Sequence, residues 1–301
     1  MSDIAMNNLP GHIPILLNND TCPYCGVLLT PEVTSKEHVV GRRFVPKGKL
    51  DGNWNLVLRA CLQCNRYKSD LEDDLSAISM HPTAWGQYAH EDESLAQEAE
   101  RKAENSTSRR TRRRVRDSSE DITVEVPLGS TIHMTINLSS PPQADSRRIF
   151  ELARLQLMGF FYFLTYDKDK RIGHYWLGDF CPLLEALKSD WGNSIHRAFM
   201  QAVIEWEPRL IAFTAGGYFK VAIRRHPSAV CWSWAVEWNH NLRVVGFFGD
   251  STVAGAIVKT FPSLGFVRVV DEPDRYVNIR SEIALSEEND ILFKRHVEDT
   301  V

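Results

Sequence analysis

The 301-residue sequence is marked first by what it lacks. No run of about 18 apolar residues occurs, which argues against a membrane span. The start, MSDIAMNNLPGHIPILL, has no basic region leading into a long apolar core, so no secretory signal is read there. Cysteine is scarce, six in the whole chain, which excludes a disulfide-built scaffold. Net positive charge is absent too. The formal charge is −4, so any contact with nucleic acid must come from local patches rather than a basic coat. No internal repeat is found. The expectation is a cytoplasmic protein with no membrane partner.

Composition is that of a globular chain, 43% hydrophobic and 25% charged, enough for a sizeable core. The length suits two domains. An α+β protein is expected, with one unit at 1–85, a linker at 86–118 and a second unit at 119–301. The lead-in Ile13–Leu17 is expected to pack on the first unit. The linker carries six arginines from Arg109 to Arg116 and no acid among them. It reads equally as a basic arm, with Arg112 and Arg113 on phosphates, or as a solvated connector.

The second unit shows alternation. Ile122–Val126 and Ile132–Leu138 have period two around a Pro-Leu-Gly turn, which predicts a hairpin. Residues 147–166 are apolar on more than one face, as in a buried helix. A further helix is expected over Ser194–Trp206. Four strand-like runs follow, Leu210–Thr214, Tyr218–Arg224, Val230–Glu237 and Leu242–Phe248, and predict an antiparallel meander with helices against it. Trp232, Trp234 and Trp238 share one strand face, as core or as a base-stacking platform.

Four of the cysteines form two C-x-x-C pairs, Cys22/Cys25 and Cys61/Cys64, with 35 residues between the pairs. Two such knuckles supply four thiolates for one tetrahedral Zn²⁺ and leave no open position, so the zinc is expected to be structural. Gly26 follows the first knuckle, where the turn favours positive φ.

Between and after the knuckles lie Glu37-His38-Val39-Val40, Asn55-Leu56-Val57-Leu58 and Asn65-Arg66-Tyr67-Lys68. In this order, around the CPYCG and C-x-x-C pairs, residues 20–78 resemble the four-cysteine version of the HNH endonucleases, with their ββα-metal fold. The resemblance implies a divalent-metal-dependent phosphodiester hydrolase acting on DNA, of a restriction or phage-defence kind. It implies His38 as the general base on water, and Glu37 and Asn65 as ligands of one Mg²⁺ or Mn²⁺. It implies Asn55 as a brace on the His38 loop, and Arg66 and Lys68 as contacts to phosphate. Glu37 stands where many members carry Asp, Asn65 where many carry His, and Gly41 where many carry Pro. From Lys36 to Asp70 there are eight basic residues and three acids, which suits a phosphate-binding face that includes Arg42 and Arg43. Two other readings stand beside this one: a non-catalytic zinc-bearing protein that binds nucleic acid, and a sensor whose second unit controls the nuclease. That second unit is read as selecting the target, sensing a signal or joining subunits into a homo-oligomer.

Overall fold

The computed structural model describes residues 14–81, 93–127, 131, 133–272 and 275–294. It is an α+β protein with mixed and antiparallel sheets. β1 (Ile15–Leu16) runs parallel to β3 (Leu56–Cys61), and β2 (Thr34–His38) pairs with β3 on its other side, antiparallel. The chain then passes directly into α1 (Leu62–Met80), which buries Lys68, Leu71, Leu75 and Ile78 on one face. Ile15 and Leu17 pack against the core, as the lead-in suggested.

α2 (Glu93–Asn105) covers part of the stretch expected to be a connector. Lys102 explains its docking. Its ammonium donates to Val45 O at 3.2 Å and to Ser76 Oγ at 2.6 Å, and also to Arg43 O. The arginine segment is folded back rather than extended. Arg109 pairs with Asp70 and Asp73, Arg110 with Glu120, and Arg116 with Glu104, while Val115 is buried. Arg112 and Arg113 remain exposed. Residues 86–92 of the expected linker lie outside the described residues.

The hairpin is β4 (Glu120–Pro127) and β5 (His133–Ser140). α3 (Ser146–Leu164) is the predicted buried helix. Next come β6 (Asp179–Leu187), α4 (Ser194–Val203), β7 (Glu207–Thr214), β8 (Phe219–Arg225), β9 (Cys231–Trp238) and β10 (Leu242–Gly249). α5 (Ser251–Val258) and the pair β11 (Val267–Glu272) and β12 (Arg275–Ile279) follow. The meander β7–β10 is present, and β6 adds to its β10 edge in the order β6-β10-β9-β8-β7. β6 has no clean alternation in sequence. Pro182 lies opposite Gly246 at a bulge, which an edge strand tolerates because its outer N–H positions need no partner.

α3 lies between the two regions. One core runs from Tyr24, Val39 and Trp54 through Leu152 and Phe160 to Trp234 and Trp238. Trp54 Nε1 donates to Phe213 O at 2.8 Å across that junction. Gly159 permits the contact. A Cβ there would lie 2.7 Å from Val39 Cγ2. Trp234 and Trp238 are core residues, and Trp238 Nε1 donates to Gln156 Oε1 at 2.9 Å. No described helix is long and apolar enough to cross a membrane.

Candidate metal centre and active site

The first knuckle is a tight turn. Gly26 takes φ 77° and its N–H donates to Cys22 O at 2.9 Å, while Cys22 N–H donates to Val27 O at 2.9 Å. The second knuckle needs no separate loop. Cys61 ends β3 and caps α1, where its sulfur accepts from Cys64 N–H. The four Sγ atoms lie within 4.8 Å of one another, and Cys25 Sγ is 3.7 Å from Cys61 Sγ. A tetrahedron built on a Zn–S distance of about 2.3 Å has edges of about 3.8 Å. All four cysteines are free thiols, so donor chemistry and spacing both fit one metal ion such as zinc. Burial raises the Cys22 thiol to about 11, a cost that a bound cation removes.

The strand–strand–helix unit brings the candidate catalytic residues into one neighbourhood. His38 ends β2 opposite Val57. Asn65, in the first turns of α1, donates from Nδ2 to Ser35 Oγ at 2.8 Å and to Lys36 O at 3.3 Å. Asn55 sits before β3 and grips Val40 twice: Nδ2 donates to Val40 O at 2.7 Å, and Oδ1 accepts from Val40 N–H at 3.4 Å. Burial, then the charges of Arg42, Lys36 and Lys68, hold the half-buried His38 imidazole down to about 4. Lys36, Arg42, Arg43 and Arg66 are exposed.

One placement corrects the sequence reading. Lys68, expected on phosphate, is only 1% exposed and reaches no surface. It lies three residues after Asn65 on α1, on the face turned to β2, and its ammonium is 2.8 Å from Glu37 Oε1 and 2.6 Å from Glu72 Oε1. Burial lowers its affinity for a proton, but the two carboxylates outweigh this and keep it charged. Glu37, expected as a ligand of the divalent cation, is 3% exposed, and its Oε1 also accepts from Tyr24 Oη at 3.0 Å. Among the described contacts, Glu37 Oε2 and Asn65 Oδ1 take no hydrogen bond or ion pair. Hard oxygen donors of this kind suit Mg²⁺ or Mn²⁺.

Sequence reasoning missed Tyr24 and Glu72. Tyr24 lies inside the first knuckle and ties the cysteine cluster to Glu37. Burial and Glu37 push its phenol well up, so it remains a donor. Glu72 sits four residues beyond Lys68, a spacing that signals an ion pair on a helix but not its burial. No family model, curated protein or solved structure matches the chain.

Proposed function

We propose that this chain is a divalent-metal-dependent endonuclease of the HNH kind, hydrolysing phosphodiester bonds in DNA. The observation that carries the reading is the docking of Asn65 on Ser35 and Lys36, next to Glu37 and His38 and some thirty residues away in sequence. With Zn²⁺ in the four cysteines, the staple would hold the start of α1 against the end of β3 and so maintain that docking.

The chemistry assigned to each residue follows from its surroundings. Burial and neighbouring cations hold His38 in the neutral form that a general base needs, while the same lowering weakens it as a base. Glu37 Oε2 and Asn65 Oδ1 would hold a Mg²⁺ or Mn²⁺ ion. Such an ion, when bound, supplies neutralising charge to the phosphoryl and leaving oxygens. Asn55 holds the chain just after His38. Lys36, Arg42, Arg43 and Arg66 provide exposed positive charge for the DNA backbone, with Arg112 and Arg113 as further phosphate contacts.

A second reading draws on Glu37. Its burial beside Lys68 also suits a module that binds DNA through its basic face without cutting it. Plasmid cleavage in Mg²⁺ or Mn²⁺, with EDTA controls, separates the two. The nuclease reading expects nicking or linearisation in the wild type and its loss in His38→Ala and Asn65→Ala. DNA binding by folded wild-type protein with no cleavage, unchanged in His38→Ala, would favour the second.

A further inference from the structure

Lys68 poses a physical question. An ammonium removed from water costs several kcal/mol unless its protons are all taken up by good acceptors. Here they are. Lys68 Nζ lies 2.8 Å from Glu37 Oε1, 2.6 Å from Glu72 Oε1 and 3.0 Å from the backbone carbonyl of His38. Glu72 Oε1 in turn accepts the Gly41 N–H at 3.2 Å. Asn55 holds both polar groups of Val40. Three of the four positions from His38 to Gly41 are therefore tied by their backbone to a side chain from another part of the chain.

The fit at Gly41 is close. A Cβ there would meet Glu72 Oε2 at 2.2 Å, so the carboxylate occupies the space that any larger residue would need. Bonds to ionised groups are shorter and stronger than neutral ones, which suits them to fixing a backbone. Neither Lys68 nor Glu72 lies on the exposed basic face. Lys68 is 1% exposed, and the Glu72 carboxylate is turned onto Lys68 and Gly41.

We propose that Lys68 and Glu72 are positioning residues: a buried ionic brace that sets the backbone carrying His38 and starts the Arg42–Arg43 segment in its direction, without touching nucleic acid. This rests on the nuclease reading of His38. It also replaces the phosphate contact expected for Lys68 with a role inside the protein.

The test uses the full chain with Glu72→Ala, Glu72→Gln and Lys68→Met. Cleavage kinetics on duplex DNA in Mg²⁺ are paired with the His38 χ1 rotamer, read from three-bond couplings by NMR, which needs no activity. Glu72→Ala removes both bonds. Its kcat is expected to fall by roughly tenfold or more, since small misplacements of a catalytic group carry losses of that order. KM should stay within about twofold, because no substrate contact is lost. His38 should pass from one rotamer to an average. Glu72→Gln keeps an acceptor for Gly41 and leaves Lys68 balanced against Glu37 alone, so it should retain most of kcat and the single rotamer. Lys68→Met leaves two buried carboxylates facing each other. If it does not fold, the two Glu72 variants carry the test. Unchanged kcat and rotamer in Glu72→Ala would overturn the brace. So would a raised KM at unchanged kcat, the mark of a substrate-binding group. If the wild type does not cleave, the nuclease reading fails, and the rotamer result alone decides whether the brace holds His38.

Discussion

At the scale of single residues, burial decides chemistry more than residue type does. His38 and His196 both have imidazoles held down to about 4, by burial first and by nearby cations second. His38 is half-buried, with exposed Arg42 and Lys36 and buried Lys68 near it. His196 is 1% exposed in the first turn of α4, with Nδ1 donating to Trp191 O and Nε2 without a partner among the described residues. Burial and then Arg243 oppose its protonation. The folded state therefore resists a proton that the unfolded chain accepts near its ordinary value of 6.5. Stability from this group is complete above about pH 6.5 and is lost as pH falls towards 4, by about 3 kcal/mol in all. Urea denaturation at pH 7 and pH 4.5 should show a smaller loss on acidification in His196→Leu than in the wild type. An equal loss in both would place the acid sensitivity elsewhere.

At the scale of elements, α1 and α3 do most of the positioning. α1 presents Asn65, Lys68 and Glu72 to β2 and its following loop, and turns Arg66 outward. α3 meets Val39 at Gly159, directly beside His38 in sequence. Gly159→Ala reveals which force dominates there. On an exposed helix the change would stabilise by up to about 1 kcal/mol through helix propensity. In this contact the added methyl overlaps Val39, and destabilisation of about 1–3 kcal/mol is expected instead. A shift of the urea midpoint upward would show that Val39 yields freely. The identities of these helices were legible in sequence, α3 from its apolar faces and α1 as the helix that the ββα resemblance implied. Their facing was not, because a helix rotated by one residue keeps its composition and changes every contact. β6 escaped notice for a related reason. Its residues alternate poorly because an edge strand with a bulge has no single buried face.

At the scale of the molecule, the cysteine cluster is tied to distant parts of the chain. Tyr175 Oη donates to Cys22 O, and Tyr162 Oη donates to Thr21 O at 3.2 Å. Asn239, in the turn between β9 and β10, donates to Phe44 O at 3.2 Å and to Ser79 Oγ at 2.7 Å. The shared core continues through these contacts. Removal of metal should therefore be felt throughout. Calorimetry of chelated protein, or of Cys61→Ser, is expected to show one transition at lower temperature rather than a loss confined to the first 80 residues. Two separated transitions would mean that the regions fold independently. The same continuity bears on truncation: cutting the chain at residue 118 would strip α3 and Phe213 from Val39 and Trp54.

What the sequence determined by itself was local: the two cysteine pairs, the acid–histidine step, the asparagines before and after β3, and the alternation of the C-terminal strands. Each depends on spacings of a few residues, which backbone geometry converts directly into turns, faces and ligand pairs. Tertiary structure alone decided which charges meet water. It sank Lys68 and Glu37 into a cluster with Glu72 and Tyr24, paired Arg109 with Asp70, and left Arg42, Arg43 and Arg66 outside. The physical reason is that a charge is buried only where partners from remote segments converge on it, and convergence is a property of packing rather than of order along the chain.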